Sequence, residues 1–202
     1  MISMTLSAAA AALDAQFCAD DRTFNGASTD TRSLGPGQLF FALRGPNFDA
    51  HEKLDEAQAA GAVAAVVERA MPSRLPQLLV ADTRAALGQL ARAWRQRFDI
   101  PVLAVTGSAG KTTVKEMLAV IMRTQGPVLA TRGNFNNDIG LPLTLFQLDA
   151  SHRAAVLEMG ANHVGDITLL VAIARPHIGV ITLCAPGHLE GFGSIEGVAR
   201  TK

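Results

Sequence analysis

The stretch Thr106-Gly-Ser-Ala-Gly-Lys-Thr-Thr113 decides the fold. It follows an apolar run at 101–105 that is typical of a buried strand, and it opens a helical pattern at 112–124. Small residues let backbone N–H groups turn toward phosphate oxygens, and a helix N-terminus adds partial positive charge. Lys111 adds a full charge, and the hydroxyl of Thr112 is an oxygen ligand suited to Mg²⁺. We therefore predict a strand, a loop that binds a nucleotide triphosphate, and a helix.

This loop departs from the usual spacing at one position. Val105 stands where the pattern G-x-x-x-x-G-K-[ST] has its first glycine, so the loop is a shortened variant. The alternative interpretation is a glycine-rich turn with an incidental lysine. The strand before the loop and the helix after it favour phosphate binding.

The residues around the loop alternate between strand and helix patterns. Further apolar runs typical of strands lie at 128–130, 154–157 and 178–182, and helical patterns lie at 141–148 and 166–174. Such alternation predicts a mostly parallel sheet with helices on its faces. The fold class is therefore α/β, and the second half of the chain is predicted to be a P-loop-type domain with a mostly parallel sheet.

The first eighty residues predict a smaller α/β domain. Short strands are expected at 38–43, 62–67 and 77–80, and helices at 6–13 and 52–60, with a polar loop at 26–32. The amphipathic run from Thr83 to Phe98 is interpreted as a connecting helix. We therefore divide the chain into an N-terminal domain at 1–82, a connecting helix at 83–99 and a sheet domain at 100–202.

Charge and composition exclude several classes of protein. Eighteen lysines and arginines balance eighteen aspartates and glutamates, so no bulk positive field is available to hold nucleic acid. Cys18 and Cys184 cannot build a disulfide framework, which fits a reducing cytoplasm. The apolar run at 7–13 is too short to span a bilayer, and no basic residue precedes it. We expect a cytoplasmic protein without nucleic-acid partners and without membrane insertion.

Polar side chains follow the strands of the predicted second sheet. Three asparagines lie within 134–137 after the second strand, Glu158 ends the third strand, and His188 follows the fourth. Because ligands collect at the carboxyl ends of parallel strands, we expect these groups to surround the loop. Glu158 would complete a Mg²⁺ site with Thr112. The alternatives left open are that the asparagines cap the next helix and that Glu158 is a surface residue.

Several segments together resemble the Mur ligases of bacterial cell-wall synthesis. The loop at 106–116 is shared by the whole superfamily, including folylpolyglutamate synthetases. The segments Gly133-Asn-Phe-Asn-Asn137 and Glu158-Met-Gly-Ala-Asn162 are more specific, and His188-Leu-Glu-Gly-Phe-Gly-Ser194 agrees with them. In the N-terminal part, the segments 28–32, 36–45 and 49–51 are similar to the uridine-nucleotide domain of these ligases. The resemblance covers essentially the whole chain.

The resemblance implies an ATP-dependent ligase of three domains. It further implies that the N-terminal domain at 1–82 binds the UDP-sugar, that the sheet domain at 100–202 is a truncated central ATP-binding domain, and that the C-terminal domain is absent here. Within the family, the motifs are most similar to the ligase that joins D-Ala-D-Ala to the carboxylate of UDP-MurNAc-tripeptide through an acyl phosphate. ATP and Mg²⁺ are the implied cofactors, and these two substrates are the implied partners. The complete enzyme is expected to be a monomer, whereas the present chain is not expected to catalyse net ligation.

The resemblance also implies roles for single residues. Lys111, His188 and Lys202 are implied as catalytic, and Thr112, Glu158, His188 and Lys202 as metal ligands. Lys202 would act as a carbamate, and a solvated helix lysine is the alternative. The residues implied to bind ATP are Thr106, Gly107, Ser108, Ala109, Gly110, Lys111, Thr112, Thr113, Asn134 and Asn137. The residues implied to hold the uridine nucleotide are Ser28, Thr29, Leu43, Arg44, Gly45 and Asn47.

Two other functions stay open. One is another ATP-dependent amide ligase of the same superfamily with a different acid or amine, although folate-type relatives lack the N-terminal domain. The other is a P-loop nucleotide-binding module without ligase activity. ATP consumption that requires both an acid and an amine would distinguish ligation from nucleotide binding alone.

Overall fold

Two α/β units follow one another along the chain, Met1–Trp94 (unit 1) and Arg95–Lys202 (unit 2). They are seen in a computed structural model that describes residues 1–17, 19–185 and 189–202. The α/β class predicted from the alternation of strand and helix patterns is confirmed. The helix that we predicted over 83–98 ends at Arg95, the first residue of unit 2.

Unit 1 is built on a four-stranded parallel sheet. In chain order its elements are β1 (Ser3–Thr5), α1 (Leu6–Leu13), β2 (Thr23–Asn25), β3 (Ala27–Ser28), β4 (Leu39–Phe41), β5 (Arg44–Gly45), β6 (Phe48–Asp49), a 3₁₀ helix (Ala50–Lys53), α2 (Leu54–Ala59), β7 (Ala64–Val67), β8 (Gln77–Leu79) and α3 (Thr83–Arg95). The strand order in the sheet is β3-β4-β7-β8. β1 and β2 form a separate antiparallel ribbon, and β5 and β6 form a short antiparallel hairpin.

The core of unit 1 lies where the strands β4 and β7 meet α2. Phe40, Ala65 and Val67 from the strands pack with Leu54 and Ala57 from the helix. Every residue of β4 and β7 is buried, which is typical of inner strands of a parallel sheet covered on both faces. This explains why both strands were visible in the sequence as continuous apolar runs.

The polar segment at 26–32 is not only a loop, which corrects the expectation. Its residues Ala27 and Ser28 form β3, which pairs in parallel with β4 through Ala27↔Leu39 and Ser28↔Phe40. Two residues are too few to show a strand pattern in the sequence. The pairing places Ser28, the last residue of β3, at the carboxyl edge of the sheet.

Unit 2 contains a second four-stranded parallel sheet. In chain order its elements are β9 (Val102–Thr106), α4 (Lys111–Arg123), β10 (Val128–Ala130), α5 (Gly140–Leu145), β11 (Ala154–Glu158), α6 (Asp166–Ala174), β12 (Ile178–Ile181), α7 (Leu189–Phe192) and α8 (Ile195–Thr201). The strand order is β10-β11-β9-β12, and every pair is parallel. The segments that follow the four strands therefore share one edge of the sheet.

Helix α4 is held on one face of this sheet by apolar packing. Ala119 is fully buried and lies in one cluster with Leu103 and Val105 of β9 and Val156 of β11. Because alternate strand residues point to the same face, these side chains form a continuous surface under the helix. The packing fixes the start of α4 beside the carboxyl ends of β9 and β11. Across the described ranges, no helix combines the length and apolarity needed to cross a membrane.

Candidate functional site

The loop between β9 and α4 depends on two glycines in the left-handed region. Gly107 has φ 149°, and Gly110, directly before α4, has φ 76°. A Cβ atom on Gly107 would lie 1.9 Å from the hydroxyl oxygen of Thr182, so a larger residue does not fit there. The backbone can then turn tightly into the N-terminus of α4. Free N–H groups and partial positive charge at such a helix start favour an anionic ligand.

The loop is tied to the segment that follows β12. The Ser108 N–H donates to the Leu183 carbonyl at 2.7 Å, and the Ser108 hydroxyl donates to the Ala185 carbonyl at 3.0 Å. The Ala185 N–H donates to the Ser108 hydroxyl oxygen at 3.1 Å, and the Thr182 hydroxyl donates to the Ala109 carbonyl at 2.6 Å. Ser108, predicted to bind ATP, thus uses its N–H and its hydroxyl within the protein. The loop is fixed on this side before any ligand arrives.

Two polar groups of the loop are suited to a ligand. The Lys111 ammonium donates to the Gly107 carbonyl at 2.9 Å, so the side chain is folded back over the loop. The Thr106 hydroxyl is buried and has no hydrogen-bond partner among the residues that the structure describes. A buried hydroxyl without a partner costs about 1–3 kcal/mol. A bound ligand can satisfy this group.

The carboxylate of Glu158 lies beside the start of α4. It ends β11 and is only 3% exposed. The Thr112 hydroxyl donates to Glu158 Oε2 at 2.8 Å, and the Asn136 amide donates to Oε1 at 2.9 Å. The predicted pair of Thr112 and Glu158 is therefore in direct contact, and Glu158 is not a surface residue.

A divalent cation fits this arrangement. Both groups that donate to the buried Glu158 carboxylate within the described part of the chain are neutral. A buried carboxylate without a cationic partner is costly, and a metal ion would offset that cost. Mg²⁺ prefers hard oxygen ligands and keeps water at its remaining positions. The Glu158 carboxylate and the Thr112 hydroxyl are such ligands, so the residues present suit Mg²⁺.

Lys202 lies close enough to Lys111 for the two charges to interact. Burial lowers the pKa of the Lys202 ammonium, and the positive charge of Lys111 lowers this pKa further. Its Nζ atom lies 5.7 Å from the centre of the Phe192 ring. A lowered pKa favours the neutral amine, which is the form that can add CO₂ to give a carbamate. Both lysines implied as catalytic belong to unit 2, and the charge of Lys111 acts on the Lys202 ammonium.

In unit 1, the residues predicted to hold a uridine nucleotide follow β3 and β4. Ser28 ends β3, and its hydroxyl donates to the Asp30 carbonyl at 3.0 Å and accepts from the Asp30 N–H at 3.1 Å. Thr29 is the next residue. Leu43 follows β4 with its side chain buried, and its carbonyl accepts from the Ala50 N–H at 3.0 Å. The other three predicted residues are on the β5–β6 hairpin, namely Arg44, Gly45 and Asn47.

This hairpin is anchored by a fully buried histidine. His51 Nδ1 lies 2.6 Å from Asp49 Oδ1, and His51 Nε2 accepts from the Glu68 N–H at 2.8 Å. The second oxygen of Asp49 accepts from Arg69 at 2.8 Å. Burial acts to raise the pKa of Asp49, but the hydrogen bonds from Arg69 and His51 outweigh it and hold the pKa well below its usual range. Asp49 therefore links the hairpin to the residues that follow β7, directly through Arg69 and indirectly through His51.

The sequence of unit 2 matches a known family. The Mur ligase middle domain matches residues 105–202. The UDP-N-acetylmuramoyl-tripeptide–D-alanyl-D-alanine ligase of Escherichia coli (strain K12) is 49% identical over 202 residues, which are 100% of this chain and 45% of that protein. The chain belongs to the Mur ligase family.

Solved Mur ligase structures share the fold. The crystal structure of MurF from Acinetobacter baumannii has a TM-score of 0.96 and 39% sequence identity, with 100% of this chain and 46% of that chain covered. MurF from Thermotoga maritima, solved in complex with ADP, has a TM-score of 0.80 and 36% identity, with 88% and 42% covered. The chain spans a little under half the length of these Mur ligases.

His188 and Asn137 were both predicted to belong to the Mur ligase site. His188, implied as a catalytic residue and a metal ligand, lies outside the described residues. Asn137 has the capping contact that we left open as an alternative, because its Oδ1 accepts from the N–H groups of Ile139 and Gly140 at the start of α5. Asn134 and Thr113 are exposed.

The sequence analysis placed the asparagines at 134–137 beside the loop, but it did not single out Asn136 as a contact of Glu158. The Gly160 N–H donates to the Asn136 carbonyl at 2.8 Å. A Cβ atom on Gly160 would lie 2.9 Å from Asn136 Oδ1, so glycine at this position lets the two segments approach closely. The signal was the glycine two residues after the strand-end glutamate.

Proposed function

We propose that this chain provides the uridine-nucleotide unit and part of the ATP unit of the ligase that joins D-Ala-D-Ala to UDP-MurNAc-tripeptide in peptidoglycan synthesis. The observation that carries this proposal is the buried Glu158 carboxylate, held against the Thr112 hydroxyl beside a preformed phosphate-binding loop. The likeness to ligases of this activity at 49% identity supports the choice of substrates. We place the enzyme in the cytoplasm, as a monomer when complete.

The proposed reaction makes an amide from a carboxylate in two transfers. A carboxylate is a poor electrophile at neutral pH, so one of its oxygens first bonds to the γ-phosphorus of ATP while the bond to the β-phosphate oxygen breaks and ADP leaves. The amine of D-Ala-D-Ala then attacks the carbonyl carbon of the acyl phosphate. The carbon–oxygen bond to phosphate breaks, and the amine loses a proton. The protein contributes mainly alignment and charge neutralisation.

Each residue of the loop has a proposed part in this alignment. Lys111 would exchange the Gly107 carbonyl for the β- and γ-phosphate oxygens, and the N–H groups at the start of α4 would receive the remaining phosphate charge. Thr112 and Glu158 would hold one Mg²⁺, and we assign His188 and carbamylated Lys202 to a second. The metal, when bound, neutralises the charge of the phosphates.

We assign the uridine nucleotide to the edge of unit 1 formed by Ser28, Thr29 and the hairpin. Arg44 and Asn47 are exposed there. They offer a cation and an amide to the phosphates of a nucleoside diphosphate. The anchored Asp49 and His51 hold the hairpin in place without a ligand. This assignment separates the two nucleotide sites between the two units.

The test uses the complete ligase that contains this chain. Phosphate release should require both UDP-MurNAc-tripeptide and D-Ala-D-Ala, and Lys111→Ala should lower turnover roughly 10²–10³-fold, as the loss of one preorganised donor does. Calorimetry should show unchanged binding of the uridine substrate to Lys111→Ala. The exposed Lys53, which pairs with Glu56 in unit 1, provides the matched control Lys53→Ala, which should leave turnover unchanged.

Three outcomes would contradict the proposal. ATP hydrolysis without acid or amine would indicate a nucleotide-binding module without ligation. Amide formation only with a different acid or amine would indicate another ligase of the superfamily. Loss of uridine-substrate binding in Lys111→Ala with ADP binding intact would reverse the assignment of the two units.

A further inference from the structure

A buried lysine of α4 has no part in the mechanism above. Lys115 is 1% exposed, and its ammonium donates to the Thr131 carbonyl at 2.8 Å and to the Glu116 carboxylate. The Glu116 side chain is about half exposed, at 55%. Burying an ammonium group is costly unless its partners are held in good geometry. A methionine would fill the same space without that cost, so filling the core does not explain the charge.

The partner of Lys115 is itself fixed at three points. Thr131 directly follows β10 and is 1% exposed. Its N–H donates to the Val156 carbonyl at 3.2 Å, which extends the parallel pairing with β11 by one residue. Its hydroxyl oxygen accepts from the N–H of Glu158 at 2.9 Å. Lys115 binds the third polar group of Thr131, its carbonyl.

Helix α4 therefore reaches Glu158 by two routes. Thr112 donates directly to the Glu158 carboxylate. Lys115, about one helical turn later, donates to the Thr131 carbonyl, and the Thr131 hydroxyl oxygen accepts from the Glu158 N–H. A branched threonine side chain has few rotamers, so an anchored Thr131 backbone fixes where its hydroxyl points. The second route sets the position from which the carboxylate reaches Thr112.

We propose that Lys115 is a positioning residue that holds the Glu158 carboxylate in place through Thr131. The inference rests on the proposed function in one respect, that Glu158 is a Mg²⁺ ligand. Lys115 itself touches neither substrate nor metal. Without its ammonium, the Thr131 carbonyl loses its partner and the end of β10 loosens from α4. The Glu158 backbone then loses its fixed acceptor, and the metal site becomes less ordered.

The first test needs neither metal nor activity. In the complete ligase that contains this chain, Lys115→Met removes the ammonium and keeps an unbranched apolar stem. Amide hydrogen exchange, measured by NMR, should become about 10-fold faster at Glu158 relative to the amides of β9 in the same variant. Glu116→Gln is the matched control, because it removes the negative charge of the exposed partner of Lys115 and leaves the bond to Thr131 intact. It should leave the exchange at Glu158 unchanged.

The second test measures the metal site. Mg²⁺ is expected to strengthen ADP binding, and the measured quantity is the Mg²⁺ concentration that gives half of this effect. It should rise about 10-fold in Lys115→Met and in Thr131→Val, which replaces the hydroxyl with a methyl group. ADP binding without Mg²⁺ should stay the same in both variants. If Lys115→Met does not fold, Thr131→Val decides this arm, because it tests the same link from the other side.

The outcomes separate the inference from the function on which it rests. Lower melting temperature with unchanged relative exchange at Glu158 and unchanged Mg²⁺ dependence would show that Lys115 serves packing alone, and it would overturn the proposal. Absence of any Mg²⁺ dependence in the unsubstituted chain would overturn the proposed metal role of Glu158. Exchange at Glu158 would still decide whether Lys115 positions it.

Discussion

At the scale of single residues, Gly107 is the most constrained position of the phosphate-binding loop. Alanine there would combine φ 149° with a Cβ atom 1.9 Å from the Thr182 hydroxyl. We expect Gly107→Ala to lower the free energy of unfolding by about 2–4 kcal/mol, because backbone strain and overpacking add. We also expect it to abolish ADP binding. Urea denaturation and calorimetry measure the two effects.

A second glycine separates strain from overpacking. Gly133 has φ 53°, and a Cβ atom there would have no neighbour within 4 Å. Gly133→Ala should cost only about 1 kcal/mol, since strain alone remains. Adding Thr182→Ala to Gly107→Ala should recover part of the lost stability. Equal losses at both glycines, with no recovery in the double variant, would disprove the role assigned to the Thr182 hydroxyl.

At the scale of elements, the apolar pattern alone was enough to predict the strands of the two parallel sheets that have three or more residues, but not the strands of two residues. The strand predicted at 128–130 is β10 (Val128–Ala130), and Gln77–Leu79 differs from its prediction by one residue. β3, β5 and β6 have two residues each, which is too few to show a strand pattern. β3 pairs with β4, whereas β5 and β6 pair with each other. The same limit hid Asn136, whose contact with Glu158 joins residues 22 positions apart.

The β5–β6 hairpin is the element whose anchor can be tested separately. His51→Phe keeps an aromatic ring and leaves the Glu68 N–H and the Asp49 carboxylate without their histidine partner. We expect the free energy of unfolding to fall by about 1–3 kcal/mol, because the Glu68 N–H loses its acceptor and Asp49 loses one of its hydrogen-bond partners. UDP affinity should fall about 10-fold as the hairpin loosens, which corresponds to 1.4 kcal/mol. ADP binding should not change. Calorimetric titration with each nucleotide measures both affinities.

The hairpin test has an exposed control in the same unit. The pair of Lys53 and Glu56 lies on the surface, so Glu56→Gln should change stability by less than about 0.5 kcal/mol and leave UDP affinity unchanged. Unchanged UDP affinity in a folded His51→Phe variant would remove the hairpin from the uridine site.

At the scale of the whole molecule, the proposed division of nucleotides between the units predicts two separate patterns of protection. With Mg²⁺, ADP at 100 times its dissociation constant should slow hydrogen exchange in unit 2. The largest slowing should correspond to about 2.7 kcal/mol of added stability. UDP should do the same for the edge of unit 1 at 28–47. Mass spectrometry of peptides from both units measures the pattern. Lys111→Ala should lose the ADP effect and keep the UDP effect. Protection of the loop at 106–112 by UDP would contradict the division.

The bonds between the loop and residues 182–185 also bear on how fast a nucleotide is captured. Ser108 and Thr182 hold the loop in shape within the protein itself, so no slow rearrangement of the backbone separates encounter from binding. The exchange of partners at Lys111 is a rotation of one side chain, an event of picoseconds to nanoseconds. We therefore expect the rate of capture to be set by diffusion and orientation. These limit encounters between proteins to about 10⁵–10⁷ M⁻¹s⁻¹, and a small ligand should be captured faster. Affinity for the nucleotide is consequently controlled by how quickly it leaves.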